Sequence, residues 1–166
     1  MKVLVPLDGS SAAFSALSHV QALSRAGIPV QALLLHVQLR FSRHVAQFSS
    51  RAARAALRAD RSRRALAPAV EALSRAAIPC VAMTACGPVA ECIAAVAARE
   101  RVDEIVMGVG RHPRWVRWLN PSIAQEVMQR TDIPVTVLAS GKVSRLQRYA
   151  VPAGVVGLAA LLLTAD

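Results

Sequence analysis

The stretch VDEIVMGVGRHPRWVRWLNPSIAQEVMQRTDIPVTVL, residues 102–138, decides the fold. Its apolar run up to Gly108 predicts a strand, the next segment a loop, the residues after Asn120 a helix, and those after Pro134 a second strand. Asn120 and Pro121 mark the helix start, because asparagine is a favoured N-cap and proline a favoured first helical residue. The free amides at that start face the loop, which is an arrangement that binds anions.

The rest of the chain repeats this alternation of strands and helices. Three helix-to-strand junctions place a proline at the strand entrance, where its fixed φ is tolerated and its nitrogen owes no ladder hydrogen bond. Strands are predicted to begin near Lys2, Val30, Cys80, Asp103 and Val135. Such βαβ units predict an α/β domain with a doubly wound five-stranded parallel sheet, and a ligand crevice at the carboxyl ends of its strands.

The composition suits one such domain followed by a short extra segment. The 166 residues carry a formal charge of +10, and 54% of them are hydrophobic while only 4% are aromatic. The core must therefore be built from Ala, Val, Leu and Ile. The basic charge indicates anionic partners or an arginine-rich coding bias. The domain is predicted to span residues 1–140, and because its first strand starts without an export leader we expect it in the cytoplasm.

Residues 141–166 are predicted to form a basic collar and a hydrophobic C-terminal tail. The segment Tyr149–Ala165 carries no charge, and Lys142, Arg145 and Arg148 stand just before it. As a helix, its seventeen residues span about 25 Å, close to the roughly 30 Å of a bilayer core. The collar has the charge expected on the cytoplasmic side of a membrane. We therefore predict an apolar helix that anchors the protein to the inner membrane, with docking on protein as the alternative.

Four arginines form a regular basic stripe. Arg51, Arg54, Arg58 and Arg61 follow each other at spacings of three, four and three, which places them on one side of a helix. Two interpretations stay open. The stripe is either a solvated face of an arginine-rich chain, or a surface that lies against the anionic headgroups of a membrane.

Several classes of site find no support in the sequence. The three cysteines, Cys80, Cys86 and Cys92, have no C-x-x-C spacing and are odd in number, so we predict buried small apolar side chains rather than a disulfide framework or a zinc site. No histidine stands at metal-ligand spacing from a second ligand. No set of nucleophile, base and orienting residue is visible, so we do not expect an enzyme. Trp115 and Trp118 are predicted to pack against protein, and a nucleic-acid partner is not favoured.

Four segments in order resemble the universal stress protein family. They are VLVPLDGSSAAFSAL at residues 3–17, ALLLHV at 32–37, GPVAECIAAVAARERVDEIVMG at 87–108 and NPSIAQEVMQRTDIPVTVL at 120–138. The resemblance implies a Rossmann-like fold of the adenine nucleotide alpha hydrolase type. It also implies a cytoplasmic stress-response protein that forms a homodimer, commonly through its last strand, here Val135–Ala139; an open apolar edge strand invites such pairing on physical grounds too.

The nucleotide-binding branch of that family carries an aspartate after the first strand and a glycine-rich pattern after the fourth. The pattern is Gly, two residues, Gly, nine residues, Gly, then Ser or Thr. Asp8 matches the aspartate, Gly108 the first glycine and Ser122 the hydroxyl residue, whereas Arg111 and Pro121 stand where the other two glycines belong.

Two further positions complete the implied site. The backbone of Val37 is similar to the family's adenine contact, and Gly110 replaces the second glycine if the loop accepts one extra residue. Pro121 removes an amide donor near the phosphates, while Arg111 supplies a charged fork suited to them.

Two functional hypotheses therefore remain. In one, ATP or another phosphorylated ligand held by this site switches contacts with an unidentified protein partner, and the ligand residues are Asp8, Val37, Gly108, Gly110, Arg111 and Ser122. In the other, the crevice is empty and the protein is a dimeric scaffold held at a membrane by its tail.

Overall fold

A computed structural model describes residues 1–9, 13–39, 50–109 and 123–139 of the chain. Five strands form one parallel sheet in the order β3-β2-β1-β4-β5. Their bounds are β1 Lys2–Pro6, β2 Gln31–Gln38, β3 Cys80–Cys86, β4 Glu104–Val109 and β5 Val135–Ala139. Each predicted strand is present and starts within one residue of its expected position, so the predicted doubly wound sheet is confirmed.

Within the described ranges, four helices connect the strands. They are α1 Ala13–Arg25, α2 Arg51–Arg75, α3 Val89–Glu100 and α4 Ile123–Met128. One core cluster joins α1 and α2 to one face of the sheet, and a second joins α3 and α4 to the other face. The start predicted for the last helix, from Asn120 to Ser122, lies outside the described residues.

The core follows from the alternation of side chains along buried strands. In β1, Val3 and Val5 pack towards α1 and α2, while Leu4 packs towards α3 and α4. A parallel sheet covered on both faces needs apolar residues at every position, and all three are fully buried. The buried hydrophobic residues among the described ones are Ala, Val, Leu and Ile, together with Met107, which confirms the predicted aliphatic core.

The prolines at the strand entrances take part in the sheet through their carbonyl groups. Ala32 N donates to Pro79 O and Ile105 N donates to Pro134 O, both over 2.9 Å. The N-terminal ammonium donates to Pro29 O over 2.8 Å. Proline thus begins a strand without a donor but with a working acceptor, as the sequence pattern predicts.

The prediction that the cysteines are buried is wrong. Cys86 is exposed, and Cys80 and Cys92 are only half-buried. For Cys80 and Cys86 the cause is the position of β3, which is an edge strand with a neighbour on one side only; Cys92 lies on α3. Val81 on the same strand is 46% exposed, so burial along β3 is incomplete even for branched aliphatic residues.

Candidate functional site

The strand order reverses between β1 and β4. From β1 the chain reaches β2 and β3 on one side, and then returns to β4 and β5 on the other. Ligand crevices of open α/β sheets lie at this reversal, beyond the carboxyl ends of the strands. Asp8 follows β1, Val37 lies near the end of β2, and Gly108 lies near the end of β4. The structure therefore places these three predicted residues along one edge, while Gly110, Arg111 and Ser122 fall outside the described residues.

The turn that carries Asp8 is held closely. Leu7 N donates to Leu35 O over 2.8 Å and continues the β1–β2 ladder one residue beyond β1. Gly9 then adopts φ +83°, a conformation that glycine adopts without strain. A Cβ on Gly9 would lie 3.6 Å from the Cβ of Ala65 on α2. Backbone and helix together fix this turn, and Asp8 is exposed at the edge of the sheet.

Val37 directs its backbone polar groups over the end of β1. In a parallel ladder the amide and carbonyl of one residue point to the same neighbouring strand, and successive residues alternate. Gln31 N donates to Met1 O, and Leu35 O accepts from Leu7 N, so the odd-numbered residues of β2 face β1. Val37 is two residues beyond Leu35. Its amide and carbonyl consequently face the space above Leu7, beside the turn that carries Asp8.

His36 holds the two strand ends together. Its Nδ1 lies 2.7 Å from Leu7 O. A carbonyl oxygen only accepts hydrogen bonds, so Nδ1 carries the proton and donates it. The half-buried imidazole therefore serves as a strand-end residue. The imidazole thus donates to Leu7 O, which is the carbonyl oxygen that the Val37 amide faces. Sequence alone offered no means of finding this contact, since it joins residues 29 positions apart.

A second tie joins the end of β2 to the middle of α2. Gln38 Nε2 donates to Arg58 O over 2.8 Å and to Ser62 Oγ over 2.7 Å. Ser62 is the only buried polar side chain among the described residues, and its hydroxyl is satisfied by this contact. The sequence held one indication of it, because Ser62 continues the helical spacing of the buried Leu66, Ala69 and Leu73.

The arginine stripe lies on α2 and continues that buried stripe towards the helix start. Arg51 and Arg61 are exposed, but Arg54 and Arg58 are half-buried. A purely solvated face therefore does not describe the stripe. It borders the carboxyl edge of the sheet, because Gln38 contacts the helix at Arg58 and the Asp8 turn contacts it at Ala65.

A shallow cavity of about 480 Å³ lies at the opposite, amino edge of the sheet. Several of its polar groups are already engaged, since Lys2 N donates to Asp103 Oδ2 over 2.6 Å and the terminal ammonium donates to Pro29 O. Strand entrances build this cavity, not the strand ends at which ligands bind. It is therefore not the candidate site.

The described residues contain neither a metal cluster nor a membrane span. No group of three or more His, Cys, Asp or Glu side chains among them could hold a metal ion. No helix within the described ranges is long and apolar enough to cross a bilayer. The predicted tail at residues 141–166 and the two tryptophans at 115 and 118 lie outside those ranges.

Comparison with known proteins agrees with this fold. The model of the universal stress protein family matches residues 1–139. The chain belongs to the universal stress protein family. None of the curated proteins compared with it matches significantly.

Solved structures of the same fold resemble this universal stress protein along most of its length. The hypothetical protein MJ0577 shares 24% identity and a TM-score of 0.66, over 86% of this chain and 97% of its own. A family member from Burkholderia pseudomallei shares 21% identity and a TM-score of 0.62, over 82% and 94%. One from Arabidopsis thaliana, solved with AMP bound, shares 18% identity and a TM-score of 0.61, over 84% and 91%. At these identities the likeness establishes the fold alone.

Proposed function

We propose that this universal stress protein is a regulatory module, not an enzyme, which pairs with a second copy and binds an adenine nucleotide at the carboxyl edge of its sheet. One observation carries the proposal. The carboxylate of Asp8, the backbone of Val37 and the glycine Gly108 stand along one edge where the strand order reverses. Sites for nucleotides occupy this position in open α/β sheets.

The described residues suit the nucleoside half of such a ligand. The amide and carbonyl of Val37 face the same space, and one donor beside one acceptor matches the edge of an adenine ring. The exposed carboxylate of Asp8 accepts hydrogen bonds from ribose hydroxyls. Gly108 has no Cβ and lets a ligand approach the end of β4. The AMP held by the Arabidopsis protein supports this choice of ligand class.

The phosphate half departs from the family pattern. Arg111 and Pro121 stand where glycines are expected, and Pro121 has no amide to offer a phosphate. We propose that Gly110, Arg111 and Ser122 bind the phosphates, and that the guanidinium of Arg111 replaces some of the amide donors that the family pattern provides. The nucleoside half then supplies most of the affinity, so we expect ATP and AMP to bind with similar strength at this site.

Calorimetric titration with ATP, AMP and adenosine tests the proposal. Asp8→Asn removes the charge but keeps the size of the side chain, and we expect it to weaken adenosine binding about 10-fold or more. Asp132→Asn is the matched control, because Asp132 is an exposed aspartate just before β5, at the other edge of the sheet. Absence of heat with all three ligands would contradict nucleotide binding.

Pairing with a second copy is proposed along β5, which is the edge strand next to β4. Ile105 N donates to Pro134 O, so the parallel ladder turns the Thr136 and Leu138 amides towards β4 and the Val137 amide towards the open edge. Val137→Pro should therefore abolish a strand-to-strand dimer and spare the β4–β5 ladder. Ala82→Pro makes the same change on the open edge of β3. Sedimentation of both variants tests the interface, and a dimer that survives Val137→Pro excludes it.

The tail at residues 141–166 supports a further proposal, that it tethers the module to the inner membrane or another anionic membrane surface. Its support is the uncharged segment Tyr149–Ala165 with the basic collar before it. Fractionation of cells that express the full chain, or a chain stopped after Gly141, provides the test. The tether requires the full chain in the membrane fraction and the shortened one in the soluble fraction; equal solubility would refute it.

A further inference from the structure

Helix α2 carries an uneven distribution of charge. Residues 51–64 contain six arginines and one aspartate, a formal charge of +5, whereas residues 65–75 contain one arginine and one glutamate. The aspartate, Asp60, is engaged by Arg64 over 3.0 Å. The four arginines of the stripe are named the arginine row: Arg51, Arg54, Arg58 and Arg61. They extend over about 15 Å of helix, at 1.5 Å per residue.

The arginine row has a fixed position relative to the sheet. Gln38 binds the backbone at Arg58 and the side chain of Ser62, which anchors the helix to the carboxyl end of β2. One turn further along, Ala65 packs at the Gly9 turn after β1. The row therefore begins where the sheet ends and projects beyond its carboxyl edge. This side of the helix is the one that packs on the sheet in the second half of α2.

Positive charges this close together repel one another. Arg54 and Arg58 stand at i, i+4, where like charges destabilise a helix. Both are half-buried, which raises the cost of the charge relative to open water. An anion bound along the row would relieve this repulsion.

We propose that the arginine row binds a multiply charged phosphate group, such as a triphosphate, carried by a small molecule free in solution. Guanidinium forks match phosphate oxygens in pairs, and a chain of phosphates matches a row of forks better than a single anion does. The site lies on the α2 side of the sheet edge and does not need the adenine contacts of Val37. It goes beyond the nucleotide site proposed above and can exist without it.

Titration with inorganic triphosphate tests the row directly. The variant Arg54→Gln/Arg58→Gln should bind triphosphate about 10-fold or more weakly than the natural protein, because two charge-assisted contacts are lost. The control Arg63→Gln/Arg75→Gln removes two charges from exposed positions of the same helix. It should change the affinity by less than about 3-fold. Equal weakening in both variants would overturn the proposal, because diffuse positive charge would then explain the binding, and so would a natural protein that binds no triphosphate.

Adenosine and lipid vesicles distinguish this proposal from the nucleotide site at the crevice and from binding to a membrane. Adenosine carries no phosphate. If the protein binds adenosine but not triphosphate, the phosphate site on the arginine row is contradicted and the nucleotide site at the crevice is supported. If the protein binds triphosphate but not adenosine, the arginine row is supported and the nucleotide site at the crevice is contradicted. Vesicles of phosphatidylserine and phosphatidylcholine form the third arm. Row-dependent binding to vesicles by a protein that ignores free triphosphate would overturn the small-molecule site in favour of a membrane surface.

A measurement on the natural protein covers the case of a variant that fails to fold. Phenylglyoxal modifies accessible arginines, and mass spectrometry of the digest measures the modification at each one. Triphosphate should slow modification of Arg51, Arg54 and Arg61 several-fold and leave Arg63 and Arg75 unchanged. Uniform protection, or none, would count against the row.

Discussion

One side of helix α2 runs through both halves of the helix, but it is apolar in the second half and basic in the first. In the second half that side carries Leu66, Ala69 and Leu73, which are buried against β1 and β2. In the first half the same side carries Arg54 and Arg58. Pro68 stands near the boundary and removes the amide that would bond to the carbonyl of Arg64. One helix therefore combines a segment that builds the core with a segment that projects charge past the edge of the sheet.

The difference teaches how the fold separates stability from function. Packing of apolar side chains holds the second half, whereas specific polar contacts hold the first half. Those contacts are the cap at Ser50, whose hydroxyl accepts from Ala53 N over 3.1 Å, and the tie from Gln38. A segment that does not build the core can carry side chains that cost stability. Four pairs of substitutions test this division.

The largest effect is expected at Leu73, which is fully buried in the second half. Leu73→Ala should lower the free energy of unfolding by about 2–5 kcal/mol, because it removes apolar contacts and leaves a cavity. Leu57→Ala makes the same change in the first half, where the side chain is 42% exposed. Its cost should stay below about 1 kcal/mol. Urea denaturation measures both, and similar losses would contradict the division between the halves.

The tie from Gln38 comes next in size. Gln38→Ala deprives the buried Ser62 hydroxyl of its donor and should cost about 1–3 kcal/mol. Gln21 offers the control, because it donates to Ala72 O over 3.3 Å in the half of α2 that packing already holds. Gln21→Ala should cost no more than about 1 kcal/mol. Hydrogen exchange locates the effect, and it should fall on residues 51–61 for Gln38→Ala; loss of protection spread evenly along α2 would argue against a local tie.

A smaller loss is expected at the cap. Ser50→Ala removes the acceptor for Ala53 N and should cost about 0.5–2 kcal/mol. Ser74→Ala is the control, because it replaces an exposed serine near the other end of the same helix. Thermal unfolding of both proteins provides the comparison. An unchanged melting temperature for Ser50→Ala would show that contacts other than the cap hold the first turn.

The smallest effect has the opposite sign. The first turn of α2 has no acidic residue and contains Arg51, a cation at the positive end of the helix dipole. Arg51→Glu should therefore stabilise the protein by about 0.3–1 kcal/mol at low salt, and 1 M NaCl should erase the gain. Arg75→Glu places an anion in the last turn and should destabilise by a similar amount. Gains from both changes would mean that the excess positive charge matters more than the dipole.

The sequence predicted the strands because local pattern determines them. Each apolar run is bounded by a proline or a turn residue, and strands buried on both faces need such runs. Asp8, Val37 and Gly108 were identified through the family resemblance, and each lies at the end of a strand in the structure. The contacts of His36 and Gln38 were not predicted, because they join positions that are far apart in sequence and that only the folded sheet brings together.

The sequence by itself determined the alternation of strands and helices, the aliphatic composition of the core and the helical spacing of the four arginines. Those properties are periodic, and period is visible in one dimension. Only the tertiary structure decided where the side of α2 that carries the arginines lies relative to the sheet. The stripe meets the carboxyl edge because β2 ends at Gln38 and the β1 turn packs at Ala65. The same packing decided that β3 is an edge strand and leaves Cys86 exposed. Burial depends on neighbours, and neighbours are set by the order of strands in the sheet.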